Sequence, residues 1–307
     1  MATVAVSRPR RRRHISWMRL QEHIYGWLFI MPVVIGVLLF QFYPILVSIY
    51  ASMTNWTGLN NPSFIGADNY TRLLTADKFF SITLRNTVYY TLGSIPLSIS
   101  LAMMLALLCN RSMRMVYWYR TAFFAPNVTS TVAISLVWFW LYAPDVGLFN
   151  WLLSLVGVDG PAWLTSLTWA MPAVIVVGVW QSVGYPMLIL LAGLQGIPES
   201  LYEAAKLDGA SALQRFRRVT LPLLTPSIFF LLITQFISSF QVFGLIYVMT
   251  QGGPANATNV YIYYLYQNAF AFGRLGYASA MAWVLFLIIA VITLIQWRMQ
   301  KRWVFYE

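Results

Sequence analysis

Any chemistry done by this chain has few groups to work with. There is one cysteine, Cys109, and the two histidines, His14 and His23, lie in an arginine-rich N-terminal arm. One thiol supports neither an internal disulfide nor a zinc or iron–sulfur cluster. The nine carboxylates stand outside the long apolar stretches, so no Asp pair, Ser/His dyad or metal set is placed for acid–base catalysis in a membrane. No G-x-x-x-x-G-K-[ST] occurs, and without that loop the chain cannot hydrolyse ATP itself. Two polar patterns do interrupt apolar stretches. "TQFISSFQ" sets Gln235, Ser238 and Ser239 on one helical face at i, i+3 and i+4, with Gln241 turned away. "WQSVGYP" sets Trp180, Gly184 and Met187 at i, i+4 and i+7. A path for a hydrophilic solute needs polar and aromatic side chains facing a shared cavity. Rings against CH faces, with amides and hydroxyls at the edges, would hold a sugar. The competing reading is structural, since Ser and Gln in spans commonly bond helix to helix at about 0.6 kcal/mol each.

The third candidate is "EAAKLDGASALQRFRRVTLPLL", which carries six charges between two apolar stretches. Pro198 and Glu199 suit a helix start, the proline at the first turn and the acid against the dipole. The piece ends at Gly209, a natural C-terminal breaker. Ser211 and Gln214 then form an S-x-x-Q capping box for a second short helix. Leu201, Ala204, Ala205 and Leu207 crowd one side of the first piece, and Leu213 and Phe216 lie together on the second. One reading lays this hairpin on headgroups, with Arg215, Arg217 and Arg218 drawn to anionic lipid. A membrane-lying face usually carries large Leu, Phe and Trp. Alanines and a glycine instead let another backbone approach closely, which favours a protein-docking knob.

The elements that must carry these residues follow from composition. Of 307 residues 59% are hydrophobic and 9% charged, against about 25% charged in a soluble domain. So few charges cannot cover a water-exposed surface. Six stretches reach the roughly 20 apolar residues that a crossing requires: 27–50, 87–109, 117–142, 168–193, 227–250 and 277–298. Prolines inside them, among them Pro44, Pro96, Pro126 and Pro186, point to bent helices whose freed backbone groups are satisfied by neighbours. Of the 20 basic residues, Arg72, Lys78, Arg85 and Arg274 alone fall in or beside 51–86, 143–167 and 251–276. The rest cluster in the arm, the 110–116 turn and the adjoining start of the third span, the 194–226 loop and the tail, which the positive-inside rule places in the cytoplasm with both termini. The net charge of +11 is thus a topology signal, and nucleic acid is not an expected partner. The division is a basic arm over 1–24 and a six-span domain over 25–307. The arm also resembles the n-region of a signal peptide, but the apolar run after it is long, lacks an A-x-A site and precedes five more spans. In the outer loops, "FIGADNYTRLL", "YAPDVGLFNWLLSLVGVDGPAWLT" and "MTQGGPANAT" are connecting segments or a docking surface for an external partner.

The spacing Glu203-Ala204-Ala205, Gly209, Val219, Leu221-Pro222 resembles the EAA motif of inner-membrane permeases of ATP-binding-cassette importers, with Val219 where the family usually has Ile. "GLQGIPESLYEAAKLDGA", "FIGADNY", "MTQGGPANAT" and "LGYASAMAWVLF" resemble the carbohydrate-uptake, MalF/UgpA-like subgroup, from about Gly26 onward. The resemblance implies an all-α integral membrane protein of the type I importer permease (MetI-like) fold, in a bacterial or archaeal cytoplasmic membrane. It implies a non-catalytic subunit of a binding-protein-dependent importer for a sugar, oligosaccharide or glycoside, or alternatively for a glycerol or polyol phosphate. Its partners would be a MalG/UgpE-type second permease, a cytoplasmic ATPase dimer using ATP and Mg, an extracytoplasmic solute-binding protein and membrane lipid. No cofactor is expected on this chain. By the resemblance Glu203, Ala204, Ala205 and Gly209 contact the ATPase, with Asp208, Leu213 and Phe216 beside them. Trp180, Gln235 and Ser239 occupy the region that lines the sugar site in the maltose-type subunit. An ion-coupled transporter would show ionisable groups in broken helices, and a passive channel has no use for the hairpin.

Overall fold

The computed structural model describes residues 17–110 and 114–305. Most of the basic arm and Arg111 of the 110–116 turn lie outside the described residues. Four helical stretches, Gln21–Ser52, Lys78–Cys109, Thr225–Met249 and Leu275–Gln300, are long and apolar enough to cross a membrane. Two bent pairs bring the number to six if each is one span.

The first stretch comprises α1 (Trp17–Val37), a wider π turn at Leu38–Phe42 and α2 (Tyr43–Ser52). Pro44 has no amide to return to Phe40, and the widened turn accommodates that loss. A short α3 (Asp68–Thr75) leads to α4 (Lys78–Cys109), the axis of the bundle. At 1.5 Å per residue α4 is roughly 46 Å long, more than the ~30 Å hydrocarbon layer. Its buried Thr83, Thr87, Thr91, Ser94, Ser98 and Ala102 are small, so neighbouring backbones pack closely. Then come α5 (Val116–Val128), α6 (Thr131–Leu141) and α7 (Leu148–Leu155). Helix α8 (Ala170–Ser182) and α9 (Gly184–Gln195) follow.

The stretch expected as one helix over 117–142 is the bent pair α5 and α6, turned by 98°. Thr129, extended at φ −82° and ψ 145°, makes the turn. The pair α8 and α9 bends by 47° one turn before Pro186, which cannot return a hydrogen bond to Ser182. Arg120, at the start of the third span, donates to the Cys109 carbonyl at 2.8 Å. It thereby satisfies one of the four carbonyls that a helix end leaves open.

After the hairpin, α10 (Glu199–Leu207), α11 (Ala212–Arg215), a π turn at Phe216–Thr220 and α12 (Leu221–Leu223) lead to α13 (Thr225–Phe240) and α14 (Gly244–Met249). The chain finishes with α15 (Tyr261–Tyr266) and α16 (Leu275–Gln300).

The end of the bundle near Lys78 is tied by polar side chains. Asn69, in "FIGADNY", donates to the carbonyls of Ser52 and Thr54, both at 2.9 Å. Asn86 donates to those of Asn256 and Asn259 at 2.8 and 3.0 Å, pinning "MTQGGPANAT" to α4. Asp77 caps α4 at the amide of Phe79, 2.9 Å, and accepts from the hydroxyls of Tyr264 and Tyr277. Burial and the bond to Asp77 push the Tyr264 phenol up to about 12, so it remains a donor at neutral pH. Asp77→Ala removes the cap and leaves two phenols without their acceptor. It is expected to lower stability by about 2–4 kcal/mol; a thermal-shift measurement in detergent that finds no decrease would contradict this arrangement.

Candidate functional site

Residues from two breaks and one bend converge on a single cavity. A space of about 390 Å³ is lined by Tyr90 and Ser94 of α4, Asn127 of α5, Thr131 of α6, Gln181 and Ser182 of α8, and Tyr185 of α9. Thr234, Gln235, Ser238 and Ser239 of α13, with Phe243 in the turn after it, also line it. The lining holds no Asp, Glu, Lys or Arg. Its size lies in the range of small-molecule sites, about 300–1,000 Å³. Irregular backbone at membrane depth is tolerated where it lines such a cavity.

Gln235, Ser238 and Ser239 are brought together here, and Gln241 is absent from the wall. Two of the three also bond helix to helix. Gln235 donates to Ser98 at 3.2 Å, and Ser239 donates to Thr91 at 3.1 Å, joining α13 to α4. Ser238 is exposed and makes no side-chain hydrogen bond with a described residue, and the same is true of Asn127 and Tyr185. The side-chain donors and acceptors of these three are free in the cavity. Gln181 is held by Thr131 at 3.0 Å, which ties α8 across to α6.

Trp180, Gly184 and Met187 are not brought to this cavity. Trp180 faces outward, 42% exposed, with its ring edge-on to Trp138 at 5.5 Å. Met187 has no exposed surface and packs among Leu190, Leu191 and Leu194. Gly184 lies under α5, where an added Cβ would stand 2.4 Å from the Phe123 carbonyl oxygen. The 47° bend between α8 and α9 breaks the straight-helix register that put these three on one face with the cavity. The aromatic faces present are Tyr90, Tyr185 and Phe243. Asn127, Thr131 and Gln181 are further wall residues that helical periodicity does not single out. The available signal is their position beside helix breaks, at Thr129–Ser130 and Val183.

At the other site, the hairpin has the expected local chemistry. The Gly209 amide bonds to the Lys206 carbonyl at 3.0 Å and the Ala210 amide to that of Ala205 at 2.9 Å, a Schellman stop. Gly209 is at φ +74°, where a residue with a Cβ is strained. The Ser211 amide donates to Gln214 Oε1 at 2.7 Å and the Gln214 amide to Ser211 Oγ at 3.3 Å, completing the capping box. Leu213 and Phe216, three residues apart on helical backbone, differ in burial. Phe216 turns inward against the cluster of Leu190, Leu194 and Leu224 and roots the hairpin in the bundle, whereas Leu213 is 58% exposed. Glu203, Ala204, Asp208 and Gly209 are exposed, Ala205 is half-buried, and Leu207 is 90% exposed. An exposed leucine beside small residues and charges is the composition of a contact surface.

Residues 94–304 match the family "Binding-protein-dependent transport system inner membrane component". The chain is 40% identical to a probable ABC transporter permease protein, YesP, of Bacillus subtilis, over 94% of each chain. It is 35% identical to the sulfoquinovosyl glycerol transport system permease protein SmoG of Agrobacterium fabrum, over 96% of each. It is also 35% identical to the trehalose/maltose transport system permease protein MalF of Thermococcus litoralis, over 91% of this chain and 95% of that one. Among solved structures, a chain of a bacterial ABC transporter involved in import of the acidic polysaccharide alginate superposes with a TM-score of 0.80. That match has 25% identity and covers 93% of this chain and 98% of the other.

Proposed function

The chain belongs to the family of inner-membrane components of binding-protein-dependent transport systems, and from that premise we propose that it is the permease subunit of an ATP-driven importer for a carbohydrate. The observation that carries the carbohydrate reading is the cavity. It is uncharged, walled by hydroxyls, amides and aromatic faces, and leaves Asn127, Tyr185 and Ser238 unpartnered among the described residues. Such a wall offers hydrogen bonds to a polyol and apolar faces to its CH groups, and it offers nothing to neutralise an anion. The names of the relatives, for trehalose and maltose and sulfoquinovosyl glycerol, support the class.

In this reading both termini and the hairpin are cytoplasmic. Glu203, Ala204, Ala205 and Gly209, flanked by Asp208 and Leu213 and rooted by Phe216, engage a separate ATPase dimer that uses ATP and Mg. A second permease of MalG/UgpE type completes the path, and a binding protein delivers the solute from outside. Gln235, Ser238 and Ser239 stand on the solute path.

The reconstituted transporter, supplied with sugar-loaded binding protein, tests the cavity. Asn127→Leu and Phe243→Ala are each expected to lower uptake about two- to tenfold, the worth of one lost hydrogen bond or contact, while ATP hydrolysis stays responsive to the binding protein. Uptake unchanged in both variants would remove the cavity from the solute path.

A further inference from the structure

A second cavity stands at the far end of α4 from the hairpin. Cys109, the last residue of α4, shares a packed cluster with Leu194, Leu224 and Phe216, whereas Lys78, the first, lines a space of about 580 Å³. Arg72 and Arg274 line the same space. Three of the four basic residues that the sequence places away from the hairpin side therefore gather in one pocket.

None of the three cations is neutralised there. Arg72 rests 5.4 Å above the Tyr277 ring and Arg274 lies 5.7 Å from the Phe272 ring. No hydrogen bond or ion pair joins their charged groups, or that of Lys78, to a described residue. Asp77 is the carboxylate in the wall. Its oxygens accept from the Phe79 amide and from the hydroxyls of Tyr264 and Tyr277. The pocket thus presents more positive than negative charge, and donors to spare.

Its depth selects the ligand. α16 begins at Leu275, directly after Arg274, and is apolar from its first turn. α4 begins at Lys78. Arg274 therefore stands at the membrane boundary, where the apolar run of α16 begins, and Lys78, more than two turns before the apolar run of α4 expected from 87, extends the pocket outward from it. Phe272 is 54% and Phe79 44% exposed at its edge, which gives glycerol and upper acyl carbons an apolar surface. Lys and Arg side chains beside a bilayer surface attract anionic headgroups, and guanidinium pairs well with phosphate.

We infer that this pocket holds the phosphate of an anionic phospholipid, contacted by Arg72, Lys78 and Arg274, in the leaflet opposite the hairpin. The site is independent of the solute cavity and of what that cavity carries.

The full transporter in phosphatidylcholine nanodiscs doped with spin-labelled phosphatidylglycerol provides the test, read as the motionally restricted fraction of the label. Loss of each cation is expected to weaken retention about fivefold, the equivalent of about 1 kcal/mol per charge. Lys78→Gln, at an exposed side chain with no hydrogen bond or ion pair to a described residue, should show one such step with the fold intact. Arg72→Gln combined with Arg274→Gln should show two. A restricted fraction unchanged in Lys78→Gln and in the double variant overturns the site. Displacement of the label by inorganic phosphate overturns the lipid assignment in favour of a free oxyanion. Variants that retain lipid yet lose stimulation of ATP hydrolysis by the binding protein overturn it in favour of a protein carboxylate. Sugar uptake in the same preparation reports on the permease reading separately.

Discussion

Gly209→Trp and Glu203→Lys are each expected to leave the chain inserted at normal level while uptake falls at least tenfold and ATP hydrolysis no longer follows solute delivery. The size of the effect does not come from unfolding. Nothing lies within 4 Å of the position a Gly209 Cβ would take, so a side chain there meets open space. Its cost in this chain is conformational, about 1–2 kcal/mol for an L-residue in the left-handed region. The hairpin has other restraints against that cost. They are the Schellman bonds, the capping box, Arg215 donating to the Ala210 carbonyl at 2.8 Å, and the 2.9 Å bond between Tyr202 and Thr220. What an indole at 209 removes is the room for a partner's backbone. Gly209→Asn separates the two effects, because asparagine tolerates the left-handed region and is small. It should keep at least half of normal uptake. If the Trp and Lys variants transport normally in reconstituted vesicles, the exposed end of the hairpin is not where the ATPase acts.

The route from hairpin to cavity is short. Phe216 packs in one cluster with Leu190, Leu191 and Leu194 of α9, and Tyr185 and Pro186 at the other end of α9 stand in the cavity wall. A displacement of the hairpin root is carried along α9, about 16 Å of stiff helix, to the bend where the wall changes direction. In the proposed importer, this makes α9 the connection between ATP-driven closure and the shape of the solute site.

Much of this was legible in the sequence because it rests on local rules. Four of the six apolar stretches, the stop at Gly209 and the Ser211–Gln214 box need only nearest-neighbour chemistry and appear at their places, and the other two stretches appear as bent pairs. The face shared by Gln235, Ser238 and Ser239 was also readable, because α13 runs unbroken from Thr225 to Phe240 and periodicity holds within an unbroken helix. It failed across Val183, where the bend moves Met187 into the core and leaves Trp180 facing outward. The i, i+3 spacing of Leu213 and Phe216 does not show that the packed surface ends between them, with Phe216 against the bundle and Leu213 exposed. The basic pocket was not legible at all. Arg72, Lys78 and Arg274 are joined by the fold, and the sequence shows Arg274 some two hundred positions from the others.

Gly184→Ala gives the second large expected effect, and its sign separates packing from propensity. Alanine favours a helix over glycine by about 1 kcal/mol, so propensity alone makes the change stabilising. At Gly36 in α1, with nothing within 4 Å of a Cβ, that expectation stands, and Gly36→Ala should be neutral or slightly stabilising. At Gly184 the added carbon would lie 2.4 Å from the Phe123 carbonyl oxygen and 2.7 Å from the Phe124 Cα. Both are backbone atoms and cannot rotate away, so α5 must move off α9. Overpacking of a filled interior costs about 1–3 kcal/mol, and a backbone clash falls at the upper end. Because α5 carries Asn127 and α9 carries Tyr185, the same movement opens the cavity wall. Gly184→Ala should therefore lower the melting temperature in detergent and reduce uptake more than tenfold, with Gly36→Ala as the matched control. An unchanged melting temperature together with a raised KM for the solute would instead make Gly184 a solute-contacting residue and show that α5 and α9 are not packed this closely.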